Sequence, residues 1–188
     1  ANKRVIVLAG SGGNVGGGLV AARRLAGWGA NVSVHLTREP AELAGVPAVQ
    51  LAALSGLGFG VASGISAAGG ETDLIIDAII GYSLSGPPAG IAAEMITFAN
   101  DSLAPVLSLD VPSGLDSTTG EPHQPTVSAD ATLTLALPKV GLKTEPARVH
   151  VGELYVGDIG IPAAMYRAES LEIEISHIFD DGDVVRVW

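Results

Sequence analysis

The sequence predicts an α/β fold built on a mostly parallel sheet covered by helices, and three observations carry that expectation. Of the 188 residues 47% are hydrophobic but only 4% are aromatic, so the core is aliphatic, as in sheets buried on both faces and unlike an aromatic-rich β-sandwich. Short apolar runs end repeatedly in a polar residue followed by Gly or Pro, the pattern of a buried strand leaving a sheet. The chain also opens on a strand, a glycine-rich turn and a helix in succession. One domain, residues 1–188, is expected, since no linker or low-complexity tract divides a chain of this length.

Taken in order, residues 4–9 (Arg-Val-Ile-Val-Leu-Ala) read as the first strand and residues 10–19 as a glycine-rich loop. A helix follows to about Ala26, with Leu19, Ala22 and Ala26 on one face, until Gly27 and Gly29 stop it. Such a loop offers backbone N–H groups and a helix N-terminus to an anion, or else is a tight turn that needs positive φ. It is not the dinucleotide fingerprint, because the third glycine would fall at position 15, which is Val15. Asn14 is the one loop side chain with both an amide donor and a carbonyl acceptor, which suits a hard cation or a ligand. Residues 31–36 read as a second strand with no acid at its end to hold a ribose; Arg38 stands there instead, for a phosphate or for solvent. Residues 39–54 read as helical with a break near Pro47, and residues 57–70 hold one short strand.

The next strand, within residues 72–80, carries Asp77 in an apolar run, where a carboxylate needs a partner or a cation unless it only caps the strand end. Residues 81–88, with two glycines and two prolines, must form a loop, and a helix follows over residues 89–99. Val106, Leu107 and Leu109 form a strand that stops at Asp110, Pro112, Ser113 and Gly114. Ligands of open parallel sheets bind at the carboxyl ends of strands, so Asp110 and Ser113 face a site if this strand is central; otherwise Asp110 caps a turn. Residues 131–137 form another strand running into Pro138 and Lys139, a cation for ligand phosphates or for solvent. Residues 153–156, 171–175 and 184–187 read as short strands at or beyond the edge of a mixed sheet. His35, His123, His150 and His177 show no metal-ligand spacing and read as structural or exposed.

Charge and composition exclude several functions. A net charge of −10 argues against a nucleic-acid surface, which needs clustered Lys and Arg. The absence of cysteine removes disulfides, thiolate metal sites and a Cys nucleophile, leaving a site of oxygen and nitrogen groups. No run of about 18 apolar residues and no opening signal peptide is present, so the expectation is a soluble, cytoplasmic protein with no membrane partner.

With these segments in place, the chain resembles the YjeF N-terminal domain family, whose characterised enzymes are NAD(P)H-hydrate epimerases. The resemblance runs from about Arg4 to Pro162 and rests on five blocks in order: residues 10–19, 73–86, 109–116 (Leu-Asp-Val-Pro-Ser-Gly-Leu-Asp), 133–139 (Leu-Thr-Leu-Ala-Leu-Pro-Lys) and 152–162. It implies a three-layer α/β/α sandwich with a Rossmann-like, mostly parallel sheet. It implies a potassium ion held by Asn14, Asp77 and Ser113. The substrate, hydrated NADH or NADPH, would be bound by Gly12, Gly13, Asn14, Val15, Gly16 and Gly17 and wrapped by Gly81, Tyr82, Ser83, Leu84, Ser85, Gly86 and Pro87, with Asp110 at the reacting end. Asp110 is the expected general acid/base, and Lys139 holds a phosphate or steadies Asp110. A homodimer is a compatible assembly.

The sequence departs from the family pattern at two places. The family loop usually reads Gly-Pro-Gly-Asn-Asn-Gly-Gly-Asp-Gly, and here Gly13, Val15 and Gly17 replace its first Asn, a Gly and the Asp. Family members carry a helical segment before their first strand, which here starts at about Arg4, so the chain reads as a fragment, a processed form or a reduced homologue; the dehydratase domain fused to some members is not within it. Two competing functions follow: a binding module of the same fold that has lost catalysis, and an NADP-dependent oxidoreductase that uses Arg38.

Overall fold

The computed structural model describes residues 2–65, 71–166, 178–180 and 182–188. Among the described residues eight strands form one sheet: β1 (Arg4–Ala9), β2 (Asn31–Leu36), β3 (Gly60–Ser63), β4 (Leu74–Ala78), β5 (Val106–Leu109), β6 (Ala131–Leu135), β7 (Glu153–Gly157) and β8 (Val184–Arg186). Their spatial order is β3-β2-β1-β4-β5-β6-β7-β8. All neighbours are parallel except β7 and β8, so the sheet is mixed at one edge, as expected. The chain winds outward from β1 through β3, then returns to lay β4 against β1 and winds the other way. That reversal puts a crevice at the carboxyl ends of β1 and β4, where open α/β sheets bind ligands.

Alternation along β1 separates the two cores. Val5, Val7 and Ala9 pack with Val15, Leu19 and Ala22 of α1 (Gly13–Gly27) and with Leu51 and Leu54 of α2 (Gly45–Ser55). Ile6 and Leu8 point the other way, to Met95, Ile96 and Ala99 of α3 (Ile91–Asp101). The sheet thus lies between helices, as the three-layer arrangement requires. A third cluster joins Val111 and Leu115 to Leu142, to Ala147 and Val151 of α4 (Glu145–Val151), and to Leu154 of β7. A short α5 covers Ala163–Tyr166.

Several boundaries differ from the sequence reading. Pro47 does not break a helix: it sits in the first turn of α2, where its missing N–H costs nothing, and the break falls earlier, between a 3-10 turn at Pro40–Glu42 and Gly45. The strand expected over residues 131–137 stops at Leu135, because Ala136 takes φ 65°. Helix α4 was not foreseen. The strand expected over residues 171–175, and His177, lie outside the described residues. Among the described residues no helix is long and apolar enough to cross a membrane.

Candidate functional site

The crevice between β1 and β4 opens into a cavity of about 520 Å³. Its floor is set by close backbone packing: a Cβ on Gly10 would fall 1.9 Å from the Ile79 carbonyl oxygen, so only glycine fits there. Helix α1 starts at Gly13 with Gly12 as an extended N-cap that makes no side-chain capping bond, and no acid stands in its first turn. Its first N–H groups therefore meet the cavity without an internal anion, an arrangement that favours a negatively charged ligand group. Gly12, Gly13, Asn14 and Gly17 line one wall, residues 79–83 and Thr37 others, and Asp110 and Leu135 complete it.

Asp110 follows the last residue of β5 and holds φ 70°, a backbone region that costs a non-glycine residue free energy and persists where surrounding structure enforces it. Its N–H donates to the Leu133 carbonyl at 2.8 Å, which locks it to β6. The residue is buried, its side chain 8% exposed. All its protein partners converge on one oxygen: Oδ1 forms an ion pair with Lys139 Nζ and accepts from Leu135 N at 3.3 Å and Thr134 Oγ1 at 3.4 Å. Lys139 is itself fixed by Thr134 Oγ1 at 3.1 Å and the Leu135 carbonyl at 3.0 Å. Oδ2 has no protein donor among the described residues. One oxygen is anchored and the other is left for whatever enters the cavity.

Asp77, on β4, is fully buried and surrounded by neutral donors. Ser108 Oγ and Ser113 N donate to Oδ2, both at 2.8 Å, and Ile79 N donates to Oδ1 at 3.2 Å. Ser113 Oγ lies 2.5 Å from Oδ1 and 3.0 Å from the Ile80 carbonyl oxygen while accepting from Ile80 N at 2.8 Å. A serine hydroxyl has one proton for those two acceptors. The contacts are all satisfied if Asp77 carries a proton toward Ser113 and Ser113 donates to Ile80. Burial agrees: desolvation holds the Asp77 carboxyl above its ordinary value of 3.8, against the lowering effect of its hydrogen bonds.

That shift has a pH consequence of definite sign. In the cation-free protein the folded state keeps the Asp77 proton to higher pH than the unfolded chain does, so this group's stabilisation is complete below about 3.8 and is lost as pH rises through its folded value. Asp73 and Asp116 are shifted downward by hydrogen bonds from Lys3 and from Thr119 N and act in the opposite sense. The expected result is therefore a difference: urea midpoints of wild type minus Asp77→Asn fall as pH rises above 4, and a flat difference would place the proton elsewhere.

The expected site residues divide. Asn14, Asp77, Asp110 and Ser113 all meet at the carboxyl edge of the sheet: Asp77 pairs in register with Ser108, Asn14 Nδ2 donates to the Leu109 carbonyl at 2.9 Å, and Gly81 lies against Asn14, its ideal Cβ 3.3 Å from Asn14 Cβ. Gly12, Gly13, Gly17, Gly81, Tyr82 and Ser83 line the cavity. Val15 and Gly16 do not. Because the helix begins at Gly13 rather than after the glycines, a 3.6-residue turn carries Val15 into the core and sets Gly16 against Val46 of α2. Leu84, Ser85, Gly86 and Pro87 continue the loop outside the lining, and Arg38 is exposed and outside it too. Lys139 borders a second recess with Tyr82, Leu135 and Tyr166. Thr37, Thr134 and Leu135 were missed. Thr37 directly follows the end of β2, a position that the strand-end rule applied to Asp110 would have flagged.

Comparison with known proteins gives concordant matches. The family described as YjeF-related protein N-terminus matches residues 1–141. A Dehalogenimonas lykanthroporepellens protein named NAD(P)H-hydrate epimerase is 44% identical over 169 residues, 90% of this chain and 67% of its own length. The Truepera radiovictrix protein of the same name is 41% identical over 168 residues, 89% and 74% of the two chains. The Moorella thermoacetica bifunctional NAD(P)H-hydrate repair enzyme Nnr is 36% identical over 174 residues, covering 86% of this chain but 32% of its own. This chain thus spans about two thirds of the single-activity relatives and about a third of the bifunctional ones. The crystal structure of yeast ynu0 superposes with a TM-score of 0.80 at 26% identity, covering 99% of this chain and 78% of that one.

Proposed function

The chain belongs to the YjeF-related protein N-terminus family, and from that premise we propose that the cavity is the active site of an NAD(P)H-hydrate epimerase, inverting C6 of hydrated NADH and NADPH. The observation that carries the reading is Asp110, buried, anchored through Oδ1 and open at Oδ2 beside a helix N-terminus suited to the substrate's phosphates.

The chemistry asks little of the protein. The C6 hydroxyl of the hydrate sits next to the ring nitrogen, so the nitrogen lone pair expels it once it is protonated, and no C–H bond breaks. Asp110 supplies that proton through Oδ2 and later takes one back from the water that adds. Lys139 and Thr134 keep Oδ1 occupied, which directs both proton transfers through a single oxygen. The whole chain acts as one such domain, in the cytoplasm, and a homodimer is the assembly it is compatible with.

Potassium fits the donor set. Among the described residues, a fully buried carboxylate with neutral partners only, next to Ser113, and Asn14 Oδ1 with no protein donor are hard oxygens of the kind such a cation takes. Asn14, Asp77 and Ser113 would hold it. Bound there, it would supply the positive charge that lets Asp77 ionise in place. Melting temperatures in potassium chloride are expected to exceed those in tetramethylammonium chloride at equal ionic strength by several degrees. A ligand at about 100 times its Kd contributes about 2.7 kcal/mol, and each ~1 kcal/mol moves the midpoint of a chain this size by about 2–4 °C. Identical melting curves would remove the cation from this site.

A further inference from the structure

Residues 43–70 contain no Asp, Glu, Lys, Arg or His, the longest such gap in the chain. The gap holds α2 and β3, which lie together: Val61 of β3 packs into the same core as Leu51 and Leu54 of α2. Neither has its outer side covered. In α2 only Leu51 and Leu54 are buried, while Val46 is 68% and Val49 66% exposed, Ala53 is exposed with them, and Leu57 just past the helix is 59% exposed. The Ser55 hydroxyl turns back to the Leu51 carbonyl at 3.1 Å, which leaves Gln50 as the one polar side chain of the helix free to face water. A helix apolar all round is ordinarily a buried one, and α1, α3 and α4 all carry charged residues. The strand β3 pairs with β2 on one side and, among the described residues, with nothing on the other. Edge strands are usually blunted by charge, proline or a covering segment, and Gly60–Ser63 has neither charge nor proline.

The geometry points to the α2 face and the β3 edge as the contact between two copies of this chain. Charge selects the partner. Each copy carries a net charge of −10, so two copies repel over most of their surfaces, and α2 with β3 is where neither brings an acid to the other. The same neutrality gives a basic or acidic partner nothing to recognise there. Symmetry then fits both features with one operation. A twofold axis perpendicular to the sheet sets β3 antiparallel to β3 of the second copy, where the free N–H and C=O groups of the two edges pair. That rotation keeps both α2 helices on the same face of the joined sheet and lays them side by side, so Val49 and Ala53 of one helix meet those of the other. The cavity opens at the carboxyl ends of the strands rather than along this edge, and it stays accessible in the pair. The assignment gives the homodimer a definite interface and does not depend on the epimerase reading.

The test is sedimentation velocity over a range of protein concentrations. Wild type is expected to sediment as a dimer at tens of micromolar. Val49→Glu and Val49→Lys each set a charge against its own copy across the axis, and each alone is expected to weaken the dimer about a hundredfold or more, because opposed like charges at an interface are costly. Mixed in equal amounts, the two variants bring opposite charges together, and dimers return. Val49 is largely exposed, so both variants are expected to keep the wild-type circular dichroism. Ala53→Glu with Ala53→Lys repeats the design one helical turn later and decides the matter if a Val49 variant does not fold. Val149→Glu is the control: that valine is 74% exposed on α4, toward the opposite edge of the sheet, and its replacement leaves the dimer intact. A monomeric wild type overturns the proposal, as do open-ended polymers in place of a closed pair. A dimer that withstands the charges at both positions overturns it too. So does a dimer that each charge abolishes and the mixture fails to restore, since the two helices would then not face each other.

Discussion

Asp110→Asn is expected to lose epimerisation by about 10²–10⁴-fold, the usual contribution of a positioned general acid/base, while retaining most of its affinity for the hydrate. The substitution is clean for three reasons. Asn is among the few residues that tolerate φ near the observed 70°, so the turn after β5 survives. The amide oxygen can still accept from Leu135 N and Lys139, so the anchored half of the side chain keeps its partners. What is lost is the capacity to carry a proton, together with the negative charge opposite Lys139. The measurement is chromatography of the two epimers over time for wild type, variant and a protein-free control, which separates any unaided interconversion. An undiminished variant rate would move the proton to another group; among the described residues Tyr82 is the one other titratable side chain lining the cavity.

The largest effect on stability is expected at Asp77. Replacing it by Ala removes the acceptor for Ser108 Oγ, Ser113 N and Ile79 N together, and with it the hydrogen-bond partner of Ser113 Oγ. The hydroxyls can turn, and Ser113 still has the Ile80 carbonyl oxygen, but the two backbone N–H groups are held in place by the strand ends. A stranded buried donor costs about 1–3 kcal/mol, and the vacated space adds to that, for a loss of about 3–5 kcal/mol. That is a large share of the ~5–15 kcal/mol that holds a domain together. Asp77→Asn keeps one acceptor oxygen and is expected to lose less than half as much. Urea unfolding of the two variants decides it: an Ala variant within about 1 kcal/mol of wild type would mean that water serves those donors as well as the carboxylate does.

Much of the fold was legible because β1, β4 and β5 are mostly aliphatic and β2 alternates aliphatic with polar residues, and short runs of that kind between glycines and prolines have few other structures open to them. The strand-end acids Asp77 and Asp110 were legible for the same reason, since a charge closing an apolar run stands out. What could not be read was set by distance in space. Lys139 reaches Asp110 only because β5 and β6 pair in register, Leu109 opposite Leu133, and Thr134 and Leu135 look like any strand residues until that pairing is made. The start of α1 was misplaced because Gly13, Gly16, Gly17 and Gly18 argue against helix on propensity alone; the contact of Gly18 with Ala78 overrides it, since a larger residue would hold the helix off the sheet. Helix α4 was hidden by its brevity and by Pro146, which is at home in a first helical turn.

The winding of the sheet also governs when the site comes into being. Its two walls belong to opposite halves of the chain, Asn14 and Gly17 following β1 and Asp110 following β5, and they meet only when β4 docks on β1, bringing Leu74 beside Val5. A parallel pairing across so long a stretch must meet its loop-closure entropy before any contact rewards it, and such pairings form slowly. During refolding, helices and the local β1–α1–β2 unit can gather first, but the cavity has no second wall until the halves join. Ligand binding is in this sense a reporter of the last topological step, and a chain on the ribosome gains its chemistry only after β5 and β6 have emerged.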